Sequence, residues 1–199
     1  MHAQAYNTRM ETDVTAISDA RAIILAEVKT SLETIDPKQT AAFIDAVLSA
    51  DKVFYIGVGR VLLAMKAMAK RLSHLGIRIH CVGDITEPAI TEKDLLIVAS
   101  GSGESTIPVA IARKAKGLKA RIAHIGSNPE SSLQPITDVF LRIPVKTKLN
   151  RPDELDSVQP MTTLFDQSLY LLGDAICMVI AKRKGLGDGE LWMHHANLE

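Results

Sequence analysis

The stretch Ile97-Val-Ala-Ser-Gly-Ser-Gly-Glu-Ser-Thr106 decides the fold of this 199-residue chain. An apolar run that begins at Asp94 leads into small and hydroxyl residues, and a helix-like segment, residues 107–116, follows. This order predicts a strand, a loop and a helix. Glycines at positions 101 and 103 let the loop backbone approach a ligand closely and adopt positive φ angles.

The same loop has the chemistry of an anion site. Hydroxyl groups lie beside the unpaired N–H groups that every helix start presents, and a phosphate is the predicted guest. The candidate ligands are Ser100, Ser102, Ser105 and Thr106. A run of serine and glycine is also ordinary turn chemistry, so the flanking strand and helix are what favour a phosphate site.

A second unit of the same kind lies upstream. Residues 53–56 form a β-branched and aromatic strand, and Gly57-Val-Gly59-Arg60 leads from it into a helix over 61–74. A dinucleotide fingerprint is rejected because Leu62 stands where the third glycine should be. Gly59 and Arg60 therefore join the predicted site, since a guanidinium just beyond a strand can grip a phosphate or polarise a sugar oxygen, or pair with a carboxylate.

The whole chain alternates strands and helices, which predicts a single α/β domain over residues 1–199 with a parallel, doubly wound sheet. Both glycine loops then lie at the carboxyl ends of strands, where such sheets bind ligands. Residues 1–13 are predicted to be flexible. The predicted strands cover 53–56, 77–82, 94–99, 120–125 and 139–143, and helices cover 14–35, 38–50, 61–74, 107–116 and 161–181.

Composition excludes several classes of function. Lys+Arg and Asp+Glu balance at 23 each, so no basic field points to nucleic acid. Six histidines and two cysteines show no metal-ligand spacing, and the cysteines are predicted to be buried thiols. No signal peptide is recognised and no apolar stretch reaches the ~18 residues of a membrane span. A cytoplasmic protein without a metal or membrane partner is expected.

Three titratable residues are candidates for proton transfer. Glu104 in the anion loop acts either as a base or as a carboxylate at a helix start. Asp166 begins an apolar helix, where a buried carboxylate needs a partner or a role. His195 either titrates near neutral pH or is a solvated residue of a C-terminal tail, residues 183–199. The connection at 144–160 is either a lid or a passive loop.

Several segments together resemble the 6-phospho-3-hexuloisomerase family of sugar isomerase (SIS) domain proteins. The serine loop is common to SIS domains, whereas the helix start and the tail are narrower signals. The matching segments are Gly57-Val-Gly-Arg60, Ser100-Gly-Ser-Gly-Glu-Ser105, Asn128-Pro-Glu-Ser-Ser-Leu133, Gln159-Pro-Met-Thr-Thr-Leu-Phe-Asp-Gln167 and His195-Ala-Asn-Leu-Glu199.

The resemblance implies a three-layer αβα, flavodoxin-like SIS fold with a five-stranded parallel sheet, no metal or organic cofactor, and a homotetramer or dimer. It implies interconversion of 3-hexulose 6-phosphate and fructose 6-phosphate through an enediol, in the ribulose monophosphate route of formaldehyde fixation. By resemblance the loop serines bind phosphate, Arg60 contacts the sugar, and Glu104, Asp166 and His195 transfer protons. His195 is expected to reach a neighbouring subunit's site.

Three segments depart from the family pattern. Val61-Leu62 replaces Ser-Gly after the arginine, Asp166 replaces a glutamate, and Glu-Ser-Thr replaces Glu-Thr in the serine loop. A carboxylate one methylene shorter moves by about 1 Å, which can cost on the order of a hundredfold in rate. The departures leave two alternatives open, an isomerase of another sugar phosphate and a non-catalytic phosphosugar-binding module.

Overall fold

Five parallel strands form one sheet in the order β2-β1-β3-β4-β5. This is the flavodoxin-like order, and its switch point lies between β1 and β3. The strands are β1 Val53–Ile56, β2 Ile79–Cys81, β3 Leu95–Ala99, β4 Arg121–Gly126 and β5 Val139–Arg142. The predicted α/β fold with a five-stranded parallel sheet is confirmed, and each strand lies within two residues of its predicted bounds.

This computed structural model describes residues 2–195 and 197–198, apart from the side chains of residues 2–11 and 188. Ala196 and Glu199 of the C-terminal motif lie outside the described residues. The helices are α1 His2–Glu33, α2 Pro37–Ser49, α3 Gly59–His74, α4 Thr106–Gly117, α5 Thr163–Lys184 and α6 Asp188–Met193, with a 3-10 turn at Gln134–Ile136.

Helix α1 differs most from the prediction. It begins at His2, so residues 2–13 are helical where the sequence predicts a flexible N-terminus. The boundary between α1 and α2 follows the prediction, because Asp36 caps α2 by accepting from Lys38 N at 2.8 Å and Pro37 occupies the first turn.

Alternate strand residues pack on opposite faces of the sheet. Val53, Tyr55, Leu95 and Ile97 face a core shared with α1, α2, α3 and α5. Their neighbours on the same strands, Phe54, Ile56, Leu96 and Val98, face α4. The sheet is therefore buried on both sides, which leaves its carboxyl edge as the open region at the switch point.

Helix α5 is long and apolar enough to cross a membrane by length and composition, with a mean hydropathy of 1.5, contrary to the sequence prediction. In the structure 56% of its most apolar window is buried within the chain. Such burial is typical of the core helix of a globular domain, and α5 packs along α3. Cys177 of α5 and Cys81 of β2 are free and buried, as predicted.

Candidate active site

A cavity of about 460 Å³ opens at the carboxyl ends of β1 and β3. Its walls come from the start of α3, the serine loop between β3 and α4, the connection before α5, and the first turn of α5. Five of the predicted site residues line it together: Arg60, Ser100, Ser102, Ser105 and Asp166. Val61, which departs from the family pattern, lines the cavity as well.

The serine loop, residues 100–105, is built around its own hydroxyl groups. Ser100 Oγ lies 3.2 Å from Ser105 Oγ and accepts from Gly103 N at 3.1 Å. Ser105 is the N-cap of α4, yet its side chain makes no capping bond. The amides of the first turn of α4 are therefore left available to an anionic guest.

The carbonyl groups of the serine loop accept hydrogen bonds from β4 and from the residues that follow it. His124 Nε2 lies 3.0 Å from Ser100 O, and Ser127 N donates to Gly101 O at 2.8 Å. The side-chain amide of Asn128 donates to Ser102 O at 3.2 Å. Because these carbonyl oxygens already accept hydrogen bonds, they repel a bound anion less than unpaired carbonyl oxygens would.

His124 is a site residue that sequence reasoning missed. Burial lowers the pKa of His124 to about 4, although the hydrogen bond to Ser100 acts in the opposite direction. The ring is therefore neutral near pH 7, and Nε2 must carry the hydrogen because a carbonyl only accepts. A histidine inside an apolar strand was the available signal, since a buried polar group needs a partner.

Gly103 turns the loop toward α4. Its φ angle is 66°, a left-handed conformation that side chains rarely adopt. A Cβ at this position would also collide with the side chain of Ser131. Both constraints act on the same residue, so glycine is required here for conformation and for close packing.

Glu104 lies outside the cavity. Its carboxylate accepts from Ser132 N at 2.7 Å and from Ser132 Oγ at 2.6 Å, which ties the serine loop to the turn after β4. These hydrogen bonds hold the pKa of Glu104 below its ordinary value, and the positive charges of Lys148 and Arg113 act in the same direction. Its role in proton transfer stays a prediction, and this geometry favours a bracing role.

Asp166 and Arg60 form an ion pair across the cavity wall. Arg60 Nε donates to Asp166 Oδ2 at 2.9 Å, where the Asp166 side chain is 8% exposed and that of Arg60 is 66% exposed. Asp166 Oδ1 is buried and accepts no hydrogen bond from the described part of the chain. Burial raises the pKa of Asp166 above its ordinary value, while Arg60 opposes that shift. A partly desolvated carboxylate with a free oxygen has the properties of a general base.

The same ion pair borders a second cavity. An apolar groove of about 420 Å³ lies between α1, α3 and α5 and includes Arg60 and Asp166 among its lining residues. Most of its other lining residues are apolar, and Leu25, Leu63 and Tyr170 among them are exposed. Arg60 and Asp166 thus connect the cavity beside the serine loop to an apolar surface.

The remaining predicted site residues do not line the cavity of their own chain. Gly59 begins α3 with a φ angle of 57°, and Thr106 begins α4. The His195 ring lies 4.9 Å from that of His74 and 4.8 Å from that of Trp192. Because His74 and Arg60 are at opposite ends of α3, roughly 20 Å of helix separates His195 from the ion pair.

The connection between β5 and α5, which the sequence left open between a lid and a passive loop, is held in place at two points. Glu154 accepts from Ser127 Oγ, just after β4, at 2.9 Å, and Glu27 of α1 accepts from Ser157 Oγ at 2.6 Å and Val158 N at 2.9 Å. In this structure the connection forms one wall of the cavity. It supplies lining residues that sequence reasoning missed: Thr147, Lys148, Pro160, Met161, Thr162 and Thr163.

A phosphate-type loop at the switch point of a 2-1-3-4-5 sheet, beside a buried carboxylate, defines an α/β domain with a candidate anion site. The SIS domain family model matches residues 47–171, and the chain belongs to that family. The resemblance to 6-phospho-3-hexuloisomerases is confirmed by two curated relatives named 3-hexulose-6-phosphate isomerase. The Bacillus subtilis protein is 38% identical over 88% of this chain and 95% of its own length, and the Mycobacterium gastri protein is 36% identical over 92% of each.

A solved structure agrees. A hypothetical protein from Methanococcus jannaschii superposes with a TM-score of 0.78 and 29% identity, over 91% of this chain and 99% of that one. Its crystal structure was described as inferring a molecular function of 3-hexulose-6-phosphate isomerase.

Proposed function

We propose that this chain is an isomerase that interconverts 3-hexulose 6-phosphate and fructose 6-phosphate. The relatives that carry this activity in their names match nearly their whole length. The observation that carries the proposal is the placement of the buried Asp166 carboxylate in the same cavity as the serine loop. A phosphate held by the loop would fix the sugar chain against an acid–base group.

The reaction moves a carbonyl group from C3 to C2. A base removes the proton from C2, the electrons of that bond form the C2=C3 double bond of an enediol, and a proton returns to C3 while another passes from O2 to O3. Asp166 is the proposed base because its carboxylate is desolvated and has a free oxygen. Arg60 would stabilise negative charge that develops on the sugar oxygens.

Self-association is the second part of the proposal, as a homotetramer or dimer. The apolar groove between α1, α3 and α5 exposes 71% of Leu25, 66% of Leu63 and 48% of Tyr170, a patch typical of a subunit interface. In such an assembly His195 would act in a neighbouring site. A cytoplasmic place in the ribulose monophosphate route of formaldehyde fixation completes the proposal.

The experiment is an assay of the purified protein with 3-hexulose 6-phosphate, read out as fructose 6-phosphate, together with exchange of the substrate's C2 proton with solvent. Turnover and exchange are expected. Ser102→Ala should raise KM more than it lowers kcat, because the hydroxyl lies in the phosphate loop. Tight phosphosugar binding with neither turnover nor exchange at high enzyme concentration would instead support a non-catalytic module. Activity restricted to another sugar phosphate would change the substrate.

A further inference from the structure

Lys148 lines the candidate cavity and forms no ion pair with a carboxylate in the described part of the chain. Arg60 lines the same cavity but is paired with Asp166. Among the described residues Lys148 forms no ion pair, whereas Lys146, two positions earlier, pairs with Asp156 at 2.6 Å. The two lysines of one loop therefore differ in environment, and only Lys148 lines the cavity.

Thr147 holds the backbone of Lys148 against the serine loop. The Thr147 side chain is buried, and a Cβ built on Gly101 would lie 3.3 Å from Thr147 Cγ2. Thr147 donates to Glu154 from its backbone N at 3.0 Å and from its Oγ1 at 2.9 Å. Lys148 thus follows directly after a residue that is packed and hydrogen-bonded in place.

Glu154 is the centre of this arrangement. Besides both groups of Thr147, it accepts from Ser127 Oγ at 2.9 Å and from Arg151 N at 3.1 Å. Ser127 follows β4, so the carboxylate of Glu154 joins the loop to the end of the sheet. A side chain mounted on such a backbone needs less ordering when a ligand binds.

Charge balance gives Lys148 its role. A sugar phosphate brings a charge of about −1.5 to −2 at pH 7. The serine loop offers neutral N–H and O–H donors, and the charge of Arg60 is offset by Asp166. The positive field of Lys148 reaches the serine loop, since it contributes to the low pKa of Glu104.

We propose that Lys148 binds the phosphate group of the sugar phosphate, with Glu154 as the positioning residue that holds its backbone. The inference deepens the proposed function and rests on the phosphosugar site described there. Neither residue was among those that the sequence motifs predict for the site.

Calorimetric titration with inorganic phosphate and with fructose 6-phosphate tests the inference without turnover. Lys148→Met should weaken the binding of both ligands by roughly tenfold or more, the range of a lost charge-assisted hydrogen bond. Lys148→Arg should retain most of the affinity. Lys146→Met is the matched control and should bind like the wild type, because it removes only an exposed pair.

Salt gives a readout that a purely structural role would not move. Raising ionic strength should weaken wild-type binding more than that of Lys148→Met, because the variant lacks the screened charge. Glu154→Gln should raise KM more than it lowers kcat, since it loosens the phosphate contact and leaves Asp166 in place.

The outcomes separate the two proposals. Wild-type affinity for phosphate in Lys148→Met, or no phosphate binding by the wild type, would overturn the inference whatever the isomerase assay gives. Lysine-dependent binding of fructose 6-phosphate without isomerisation would keep the inference and remove the proposed reaction.

Discussion

Arg60 Nε lies 2.9 Å from Asp166 Oδ2, and this ion pair borders both the cavity beside the serine loop and the apolar groove. The two residues are 106 positions apart in the chain, at the first turns of α3 and α5. The partners are unequally exposed, but both line the cavity, so a ligand that enters it can meet the guanidinium and the carboxylate together. The following predictions depend on this pair and on the elements that surround it.

Asp166→Asn should lower kcat by roughly a hundredfold or more, the usual loss when a general base is removed. Phosphosugar affinity should change little, because the serine loop is intact. Steady-state kinetics and calorimetry measure the two effects. Asp174→Asn, on the same helix but not among the residues lining the cavity, is the control and should keep wild-type kcat.

The same substitution should change how stability depends on pH. The folded-state pKa of Asp166 is raised, so the unfolded chain loses its proton first as pH increases from about 3.8. The wild type therefore loses stability relative to Asp166→Asn as pH rises through the folded-state pKa, and the difference is constant above it. Urea unfolding across this range measures the free energy of unfolding of both proteins. A wild type that gains stability relative to Asp166→Asn as pH rises contradicts the prediction.

Acid should destabilise the protein through His124. Its pKa is lowered to about 4 in the folded state from 6.5, so the unfolded chain binds the proton more readily between these values. Stability should fall by as much as about 3 kcal/mol as pH drops from 6.5 to 4. His124→Gln keeps a donor for Ser100 O but does not titrate, so its unfolding curves should lack this part of the acid sensitivity. Equal acid sensitivity in the two proteins would remove His124 from this account.

Gly103→Ala should both destabilise the protein and weaken phosphosugar binding. The left-handed φ angle costs roughly 1–3 kcal/mol for a side chain, and the collision with Ser131 adds to it. Gly117→Ala is the matched control, because a Cβ at that helix end meets nothing within 4 Å. Thermal unfolding and phosphate titration of both variants distinguish a local requirement from a general effect of added bulk.

Mixed oligomers test whether His195 acts in a neighbouring site. Asp166→Asn and His195→Ala chains, each expected to have lowered activity alone, should regain part of the activity when unfolded together and reassembled. One site of a mixed pair would then combine an intact Asp166 with the partner chain's intact His195. If His195 serves its own chain or has no catalytic role, mixing should give no more activity than the separate variants.

The sheet and its two ligand loops could be predicted because their signals are local. Short apolar runs at 53–56 and 95–99, each with a glycine one or two residues beyond its end, predict strand ends without knowledge of tertiary contacts. The serines that line the cavity were found for the same reason. Helix α1 was predicted to start too late because residues 2–13 are polar and lack an apolar stripe.

The remaining parts of the site depend on contacts between distant residues. Glu154 resembles any loop carboxylate in the sequence, and its importance follows only from four donors that converge on it in the fold. Lys146 and Lys148 likewise cannot be told apart from the sequence alone. Their difference arises because one meets Asp156 and the other faces the cavity.

Helix α1 has a practical consequence for anyone who reduces this protein to a minimal module. Glu27 accepts a hydrogen bond from Ser157 Oγ, 130 positions later, and so braces the segment that leads into the first turn of α5. A fragment trimmed to the span that the SIS family model matches, residues 47–171, would keep all five strands and the serine loop but lose that brace. A fragment that keeps this brace must therefore begin upstream of Glu27, well before residue 47, where the family match begins.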